Sequence, residues 1–505
     1  MINKFTKILC FVVAIFQFNC SKAQLSNGDI IFYSNQIHSI YLQFNQTGWW
    51  DSLIATHSSD TYLQASGTFD GVAITNIGVK TKGNSSFNNP SNKKSMKIDF
   101  DIFDSTLAWD GLTKINLNNG FKDPTFLREK IALDFMNDHG VSAPRCTYAN
   151  VYLNNQLWGL YMLVEEVDKK FLKDRFDNKD GNLFKGDPHG DLSYLGASAT
   201  PYYNNYELHT NGTTNDWSDL ILLTNTINNS PTVTLESSLD TVLDLQVWYR
   251  LWAANILFAN MDSYQGSGHN YYIYHNTDTD KFDWITWDVN ESFGCFQNGL
   301  SLSQIKALSP DYIPTTGMRP LEQKCLANTN MKCDYYTALH TMLLSGFDTG
   351  YFNPMIDSLA DWVRTSVYAD PNKFFTNQNF ESNLTTDMGN TPGLKSFIPE
   401  RINAVLPVVL ASGCDFSSSI NSDLLNSDLH TVTLYPNPAG DELFISAAEK
   451  IMAVEIFDLS GREIFYQTTD KNNLSINLQT LSSGIYFLKT KSDDGVTFMK
   501  KFVRQ

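Results

Sequence analysis

From residue 417 to residue 430 the chain is a run of Ser, Asp, Asn and a few aliphatic residues, with no glycine and no aromatic side chain. Such a segment buries too little surface to order itself, so the chain must fold as separate units on either side of it. We read residues 413–430 as a linker, 30–412 as a large body and 431–505 as a small second domain. The length of 505 residues exceeds the roughly 100–200 residues of one domain. With 42% apolar residues, 33 Phe, 23 Tyr and 10 Trp, the chain has material for a sizeable packed core. A formal net charge of −17 repels nucleic acid and anionic lipid over most of the surface. Neither is expected as a partner, and a phosphate-bearing substrate needs bound cations or a few well-placed lysines.

Residues 1–23 read as a secretory signal. Lys4 and Lys7 precede the apolar run Ile8–Phe16, and Ser21 and Ala23 are small residues at the cleavage-determining positions. The run is about half the roughly 20 residues a membrane span needs, and Gln17-Phe18-Asn19 is too bulky and polar for a lipoprotein site at Cys20. The later apolar run Val247–Met261 is interrupted by Arg250, so no transmembrane segment is expected. Five cysteines remain beyond the signal: Cys146, Cys295, Cys325, Cys333 and Cys414. They form no CxxC pair with zinc spacing. An exported chain permits disulfides, and Cys325 with Cys333 is the local pairing expected. An odd number leaves at least one thiol over.

The tail alternates apolar and polar residues in Glu442–Ile445, Ala453–Phe457, Leu474–Leu478 and Ile485–Lys489, with turns at 458–462 and 481–484. That pattern predicts a small antiparallel β-sandwich. In the body, Thr61–Lys82 holds two strand runs parted by Asp70-Gly71, and Asn154-Asn155-Gln156 joins a hairpin. Asp123-Pro124 opens a predicted helix that Gly140 closes, with Leu127, Ile131, Phe135 and Met136 on one face. A second long helix spans Leu243–Asn260, and a hairpin follows over His269–Asp288. The order predicts an α+β fold, strand-rich first and more helical afterwards.

Four places carry polar groups that folding does not require. In Lys80-Thr81-Lys82-Gly83-Asn84-Ser85-Ser86 a strand runs into small residues able to hold phosphate oxygens; read alone, with its single glycine, the segment is a plain β-turn. In Met96–Phe100, alternation sends Met96, Ile98 and Phe100 to one face and Lys97 and Asp99 to the other. Lys97 then either neutralises a phosphate or sits on a solvated sheet face. Asp262 and Asn270 flank a Gly/Ser loop at the end of the long helix, so both can face one point. Asp288 ends an apolar strand, where a carboxylate is costly to desolvate without a partner. Asp288 and Asn270 offer hard oxygen ligands suited to Mg²⁺ or Mn²⁺; an ordinary turn aspartate is the competing account.

Two resemblances give these features a context. The tail resembles the type A sorting domain of the type IX secretion system, through Tyr435-Pro436-Asn437-Pro438, the 458–462 turn, Ser483-Gly484-Ile485-Tyr486 and Lys500-Lys501-Phe502-Val503. This implies passage through that machinery to the surface or medium of a Bacteroidetes-type bacterium. The body resembles the CotH kinase family, through the 77–86 run, Lys94-Ser95-Met96-Lys97, Asp123–Glu129, Trp158-Gly159-Leu160-Tyr161, Gly181–Gly186, His269-Asn270-Tyr271-Tyr272 and Trp287-Asp288. The resemblance implies an atypical protein-kinase-like fold and ATP-dependent phosphoryl transfer to Ser/Thr hydroxyls of a protein substrate. In that reading Asp262 is the base, and Asn270 and Asp288 hold Mg²⁺ or Mn²⁺. Lys82, Gly83, Asn84, Ser85 and Ser86 cradle phosphates, and Lys97 is the strand lysine. Glu129 is assigned to orient Lys97, Arg128 is an alternative nucleotide contact, and Glu165 and Glu166 lie where adenosine binds. The chain lacks G-x-G-x-x-G, His-Arg-Asp, Asp-Phe-Gly and Ala-Pro-Glu. The alternative is a catalytically silent surface-attachment or coat-assembly protein that uses the same fold as a binding module. A hydrolase has no G-x-S-x-G to support it.

Overall fold

Period-two alternation in the first third of the body yields seven strands that close a barrel: β1 (His38–Gln43), β2 (Leu63–Phe69), β3 (Val72–Lys82), β4 (Ser95–Asp99), β5 (Lys114–Asn118), β6 (Cys146–Leu153) and β7 (Gln156–Glu165). The computed structural model describes residues 26–416 and 432–504, apart from 35, 60, 316, 438, 459–462, 483 and 494–496. The expected signal segment, residues 417–430 of the linker and the 459–462 part of the tail turn lie outside the described residues. Around the barrel the order is β1-β2-β3-β4-β5-β7-β6. Neighbours are antiparallel except β1 and β6, which run parallel. Ile77, Val79, Met96, Ile98, Ile115, Leu117 and Leu163 fill the interior. Lys97, between Met96 and Ile98, therefore points outward, as the alternation predicts.

The second half of the body is a four-stranded sheet packed with helices. Strands β8 (Leu183–Gly186), β9 (Tyr206–Leu208), β10 (Tyr271–Asn276) and β11 (Lys281–Thr286) lie in the order β11-β10-β8-β9. Helices Leu245–Leu257, Thr329–Leu344, Thr349–Ala369 and Leu394–Leu410 share one core with the outer face of β6 and β7. Trp252 stacks on Tyr335 with ring centroids 3.7 Å apart, a contact worth about 0.5–1.5 kcal/mol beyond its buried area. The helical part is fastened to the barrel by the Lys93–Asp370 ion pair, both side chains fully buried. Asp370 also accepts from the Leu160 N–H at 3.0 Å.

The helix opened by Asp123 in the sequence begins five residues later, at Arg128, and ends at Asp138. Phe126 adopts φ +60°, which interrupts helical backbone. The Asp123 carboxylate is not a cap. It accepts from the Thr125 N–H at 2.9 Å, the Thr125 hydroxyl at 2.6 Å and the Arg128 N–H at 3.0 Å, and pairs with the Arg128 guanidinium. The C-terminal end is as expected: Gly140 has φ +70°, and the Val141 N–H returns to the Met136 carbonyl at 2.9 Å.

The cysteines pair differently from the expectation. Cys333 is bonded to Cys414, 81 residues away in sequence, while Cys325 is a free thiol buried in the core. Cys325 and Cys333 sit on successive helices, Pro320–Ala327 and Thr329–Leu344, whose packing turns Cys325 inward. Cys414, assigned above to the linker, is thus tied covalently to the body.

The tail holds β12 (Val432–Tyr435), β13 (Glu442–Asp458), β14 (Glu463–Asn477), β15 (Gly484–Ser492) and β16 (Thr497–Arg504). They are hydrogen-bonded as one five-stranded antiparallel sheet, with strands longer than the short runs expected. Glu442–Ile445 and Ala453–Phe457, read as two strands, are the two ends of the 17-residue β13. Irregular register between Ser446 and Ile451 lets one end pair β12 and the other β15. Among the described residues, no helix is long and apolar enough to cross a membrane.

Asp123 and Arg128 are both fully buried, so removing one leaves the other uncompensated. Asp123→Ala is expected to cost about 3–5 kcal/mol of unfolding free energy, read from urea denaturation; a loss below about 1 kcal/mol would contradict that pairing.

Candidate active site

The outer face of the barrel presents a polar ladder to a cleft of about 1630 Å³. Lys80 pairs Lys97 across β3 and β4, Lys97 pairs Asn116 across β4 and β5, and Asn116 pairs Val164 on β7. Two lysines side by side repel, and the ladder supplies the compensation. Lys97 Nζ lies 2.6 Å from Glu166 Oε1, and Asn116 Nδ2 donates to Glu166 Oε2 at 2.7 Å. Lys82 Nζ donates to both Asn116 Oδ1 and Asn118 Oδ1 at 3.0 Å. Asn118 Nδ2 in turn donates to the two oxygens of Glu129 at 2.7 and 3.0 Å. One continuous chain of polar contacts thus runs from Lys97 through Glu166, Asn116, Lys82 and Asn118 to Glu129. Beyond Lys82, the backbone turns at Gly83 (φ +88°), where a Cβ would meet Ser86 Oγ at 2.1 Å. Gly83, Asn84, Ser85 and Ser86 line the same cleft.

The opposite wall comes from the ends of apolar elements. Arg401, fully buried, donates to the carbonyls of Ile256 at 2.8 Å and Leu257 at 3.3 Å, satisfying the C-terminus of the long helix. The chain then turns at Ala259 (φ +43°) and reaches Asp262. That carboxylate accepts from His269 Nε2 at 2.8 Å, Ser267 Oγ at 3.2 Å and Asn270 Nδ2 at 3.1 Å. The intervening loop is pinned from below: the Gly266 carbonyl accepts from Arg319 at 2.8 Å and from Asn298 at 3.0 Å. Asn270 opens β10 with φ +60°, and Asp288 follows β11 with φ +52°. Such left-handed positions are uncommon outside glycine, and Asn and Asp tolerate them best. Among the described residues, none donates a hydrogen bond to the Asp288 carboxylate, and none to Asn270 Oδ1. Lys82 bridges the two walls, its ammonium 5.1 Å from the Trp287 ring centroid.

Burial sets the electrostatics. It pushes the Lys82 ammonium down to about 8, against the attraction of Asp288. It raises Glu129 to about 8 and Glu291 to about 7, helped by the negative charge of Asp288 and Asp262 respectively. Asp288 is raised as well by desolvation, with Lys82 and Lys185 pulling the other way. Burial alone would raise Glu166, but the Lys97 charge and the Lys97 and Asn116 hydrogen bonds hold it at about 2. The cleft thus holds carboxylates poorly compensated by the protein beside an anion fully compensated by lysine.

Lys82, Lys97, Glu166, Asp262, Asn270 and Asp288 all line this one cleft, but three assignments need correction. The acid on Lys97 is Glu166, because β7 brings Glu166 to the cleft face, while Glu129 reaches Asn118 instead. Glu165 is not in the cleft. Strand alternation turns it to the other face, where it is buried against Arg145 and Arg175. Arg128 is likewise out of reach, bound to Asp123, Asn383 and the Pro392 carbonyl. Sequence reading also missed Asn116 and Asn118, His269, Lys185 and Arg319. Asn116-Leu117-Asn118 carried a signal, two amides on one face of a strand whose Leu117 points inward. Arg319 carried none, since its contact with Gly266 spans 53 residues.

No ligand group of three or more His, Cys, Asp or Glu gathers among the described residues. Asp288 and Asn270 can contribute two oxygens to a Mg²⁺ or Mn²⁺, an ion that usually takes one or two protein carboxylates and completes its shell with phosphate and water. Their undonated oxygens fit that demand.

Comparison with known proteins assigns both parts of the chain. The CotH kinase protein family model matches residues 79–405, more than half the chain, and the chain belongs to that family. Residues 433–505 match the secretion system C-terminal sorting domain, so the chain carries an address for type IX export to the cell surface or medium. Inner spore coat protein H of Bacillus subtilis is 28% identical over 270 residues, which is 52% of this chain and 71% of that protein. Among solved structures, the Helicobacter pylori proinflammatory kinase CtkA gives a TM-score of 0.25 at 11% identity, covering 59% of this chain and 89% of that one. PorZ, a surface component of the type IX secretion system of Porphyromonas gingivalis, gives 0.15 at 19% identity, covering 17% of this chain and only 12% of its own. Scores of that size define no shared fold.

Because folding favours the protonated form of Glu129, the stability that group contributes is present below its ordinary value of 4.5 and lost as pH rises through about 8. Glu129→Gln should match the parent near about pH 5 and exceed it near about pH 9 by on the order of 2–4 kcal/mol. Thermal melts without nucleotide or metal test this, and a gap independent of pH would contradict it.

Proposed function

We propose that the chain is an exported, atypical protein kinase that transfers the γ-phosphoryl group of ATP to Ser/Thr hydroxyls of surface or secreted proteins. In this proposal residues 1–23 are a signal peptide, 30–412 form a protein-kinase-like domain with the barrel as one lobe, and 431–505 are the sorting domain. The single observation that carries it is Asp288: a half-buried carboxylate lining the cleft, raised by desolvation, with no donor among the described residues, and attracted by Lys82. A folded protein gains nothing from that arrangement unless a cation arrives.

The roles follow from the contacts. Lys82, Gly83, Asn84, Ser85 and Ser86 hold phosphate oxygens on the barrel side. Lys97, fixed by Glu166, adds charge to the phosphates, and Glu129 sets Lys82 through Asn118. Asn270 and Asp288 would hold Mg²⁺ or Mn²⁺, which supplies neutralisation of the triphosphate when bound. Asp262 accepts the proton of the attacking hydroxyl; His269, Ser267 and Asn270 fix its orientation, so positioning and charge do most of the work. The hydroxyl oxygen bonds to the γ-phosphorus as the bond to the β–γ bridging oxygen breaks, and ADP leaves.

A second reading has one observation behind it: the Bacillus subtilis relative is named as a spore coat protein, which suits a surface or coat component that need not catalyse. The two readings part at nucleotide binding. Asp288→Ala is expected to abolish Mg²⁺-dependent ATP binding in calorimetry with near-UV circular dichroism unchanged. Asp262→Asn should keep ATP binding but slow transfer by about 10²–10⁴-fold. Unchanged ATP affinity in the first variant, or full-rate autophosphorylation by the second, would remove the assignment.

A further inference from the structure

The cleft is larger than the about 300–1,000 Å³ of a small-molecule site, and its two ends differ in charge. At the catalytic end, lysines are matched by acids: Lys97 with Glu166, Lys122 with Glu291 and Lys185 with Asp187. Away from it the lining includes Lys114, Lys169, Lys170, Lys173 and Lys179, with Asp101, Asp168 and Glu207 among its acids.

That positive charge is only partly cancelled locally. Asp168 caps the helix Lys169–Phe176 by accepting from the Lys170 and Phe171 N–H groups at 2.8 and 3.1 Å. Lys170 donates to the Gly111 carbonyl, a partner without charge. Lys173 pairs with Asp177, but both are well exposed, where such pairs are worth little. Lys114 lies 3.6 Å from Asp99 and 3.8 Å from Asp101. Lys169 and Lys179 are exposed and make no ion pair with a described residue. A chain of net charge −17 repels anions almost everywhere, so a local lysine edge on this cleft selects what enters.

We propose that the hydroxyl acceptor is carried on an acidic polypeptide segment that lies along the cleft with its carboxylates on Lys169, Lys173 and Lys179. This rests on the kinase reading for the reaction, but not for the charge preference. Lys82 and Lys97 at the floor serve the triphosphate. Lys169 and Lys179, which make no ion pair with a described residue, and Lys173, whose exposed pair with Asp177 is weak, serve Asp and Glu side chains flanking the acceptor.

The test uses the full chain and three fluorescent peptides, each with one serine flanked by Glu, Gln or Lys. Anisotropy is read with and without Mg²⁺ and a non-hydrolysable ATP analogue. The Glu peptide should bind about tenfold more tightly than the Gln peptide at low salt, and the Lys peptide least. Combining Lys169→Gln, Lys173→Gln and Lys179→Gln should erase that ranking and leave affinity for the ATP analogue unchanged. Equal binding of the peptides, a preference for Lys, or a ranking that survives the triple variant overturns the proposal. So does a parallel loss of ATP-analogue affinity in that variant, which would give the edge to the nucleotide. If the parent chain fails to bind the analogue, the kinase reading falls, while the nucleotide-free ranking still decides the charge preference.

Discussion

Charge removed from water is the constraint on which this molecule is organised. The cleft floor gathers Lys82, Lys97, Glu166, Asp262 and Asp288, with Glu129 buried behind Asn118, and burial drives the Lys82, Glu129 and Asp288 groups toward their neutral forms. Only Glu166 is fully reconciled with its surroundings, through Lys97 and Asn116. Asn116 and Asn118 matter because an amide can accept from a lysine and donate to a carboxylate at once. They let one ammonium, Lys82, serve two acids without touching either. The result is a site that is rigid in its connections yet leaves the Asp288 carboxylate without a hydrogen-bond donor among the described residues.

The rest of the fold holds that floor in place. The barrel turns its apolar residues inward, and the same alternation forces Lys97, Asn116 and Asn118 outward as one row. On the far wall, Arg401 satisfies the end of the long helix and Arg319 anchors Gly266, so the loop from Asp262 to Asn270 is held from two sides. Lys93 and Asp370 lock the two halves together away from the cleft. These buried cations spend their hydrogen bonds on backbone carbonyls and paired carboxylates, so none is left as an isolated charge.

How far the sequence revealed this depends on the range of the interaction. Lys97 was legible because strand alternation is local. Asp262, Asn270 and Asp288 were legible as polar groups where apolar elements end. The choice between Glu165 and Glu166 needed the register of β7 at its last residue, and a shift of one residue reverses the face. Pairing of Lys97 with Glu166 rather than Glu129, and of Cys333 with Cys414 rather than Cys325, depends on how distant segments pack, which periodicity does not encode. The helix at Arg128 began late because Phe126 takes a left-handed conformation that no local preference announces. In the tail, alternation located the strand residues but could not show that two strands are one long β13 with an irregular middle.

The central claim is that Asp288 and Asn270 receive a divalent cation beside a triphosphate held by Lys82. Anomalous diffraction from crystals of the full chain grown with Mn²⁺ and a non-hydrolysable ATP analogue tests it directly. The account predicts a manganese peak within coordinating distance of Asp288 Oδ and Asn270 Oδ1, bridging phosphate oxygens that also contact Lys82. Manganese and phosphates bound elsewhere, with Asp288 and Asn270 left facing water, would contradict it.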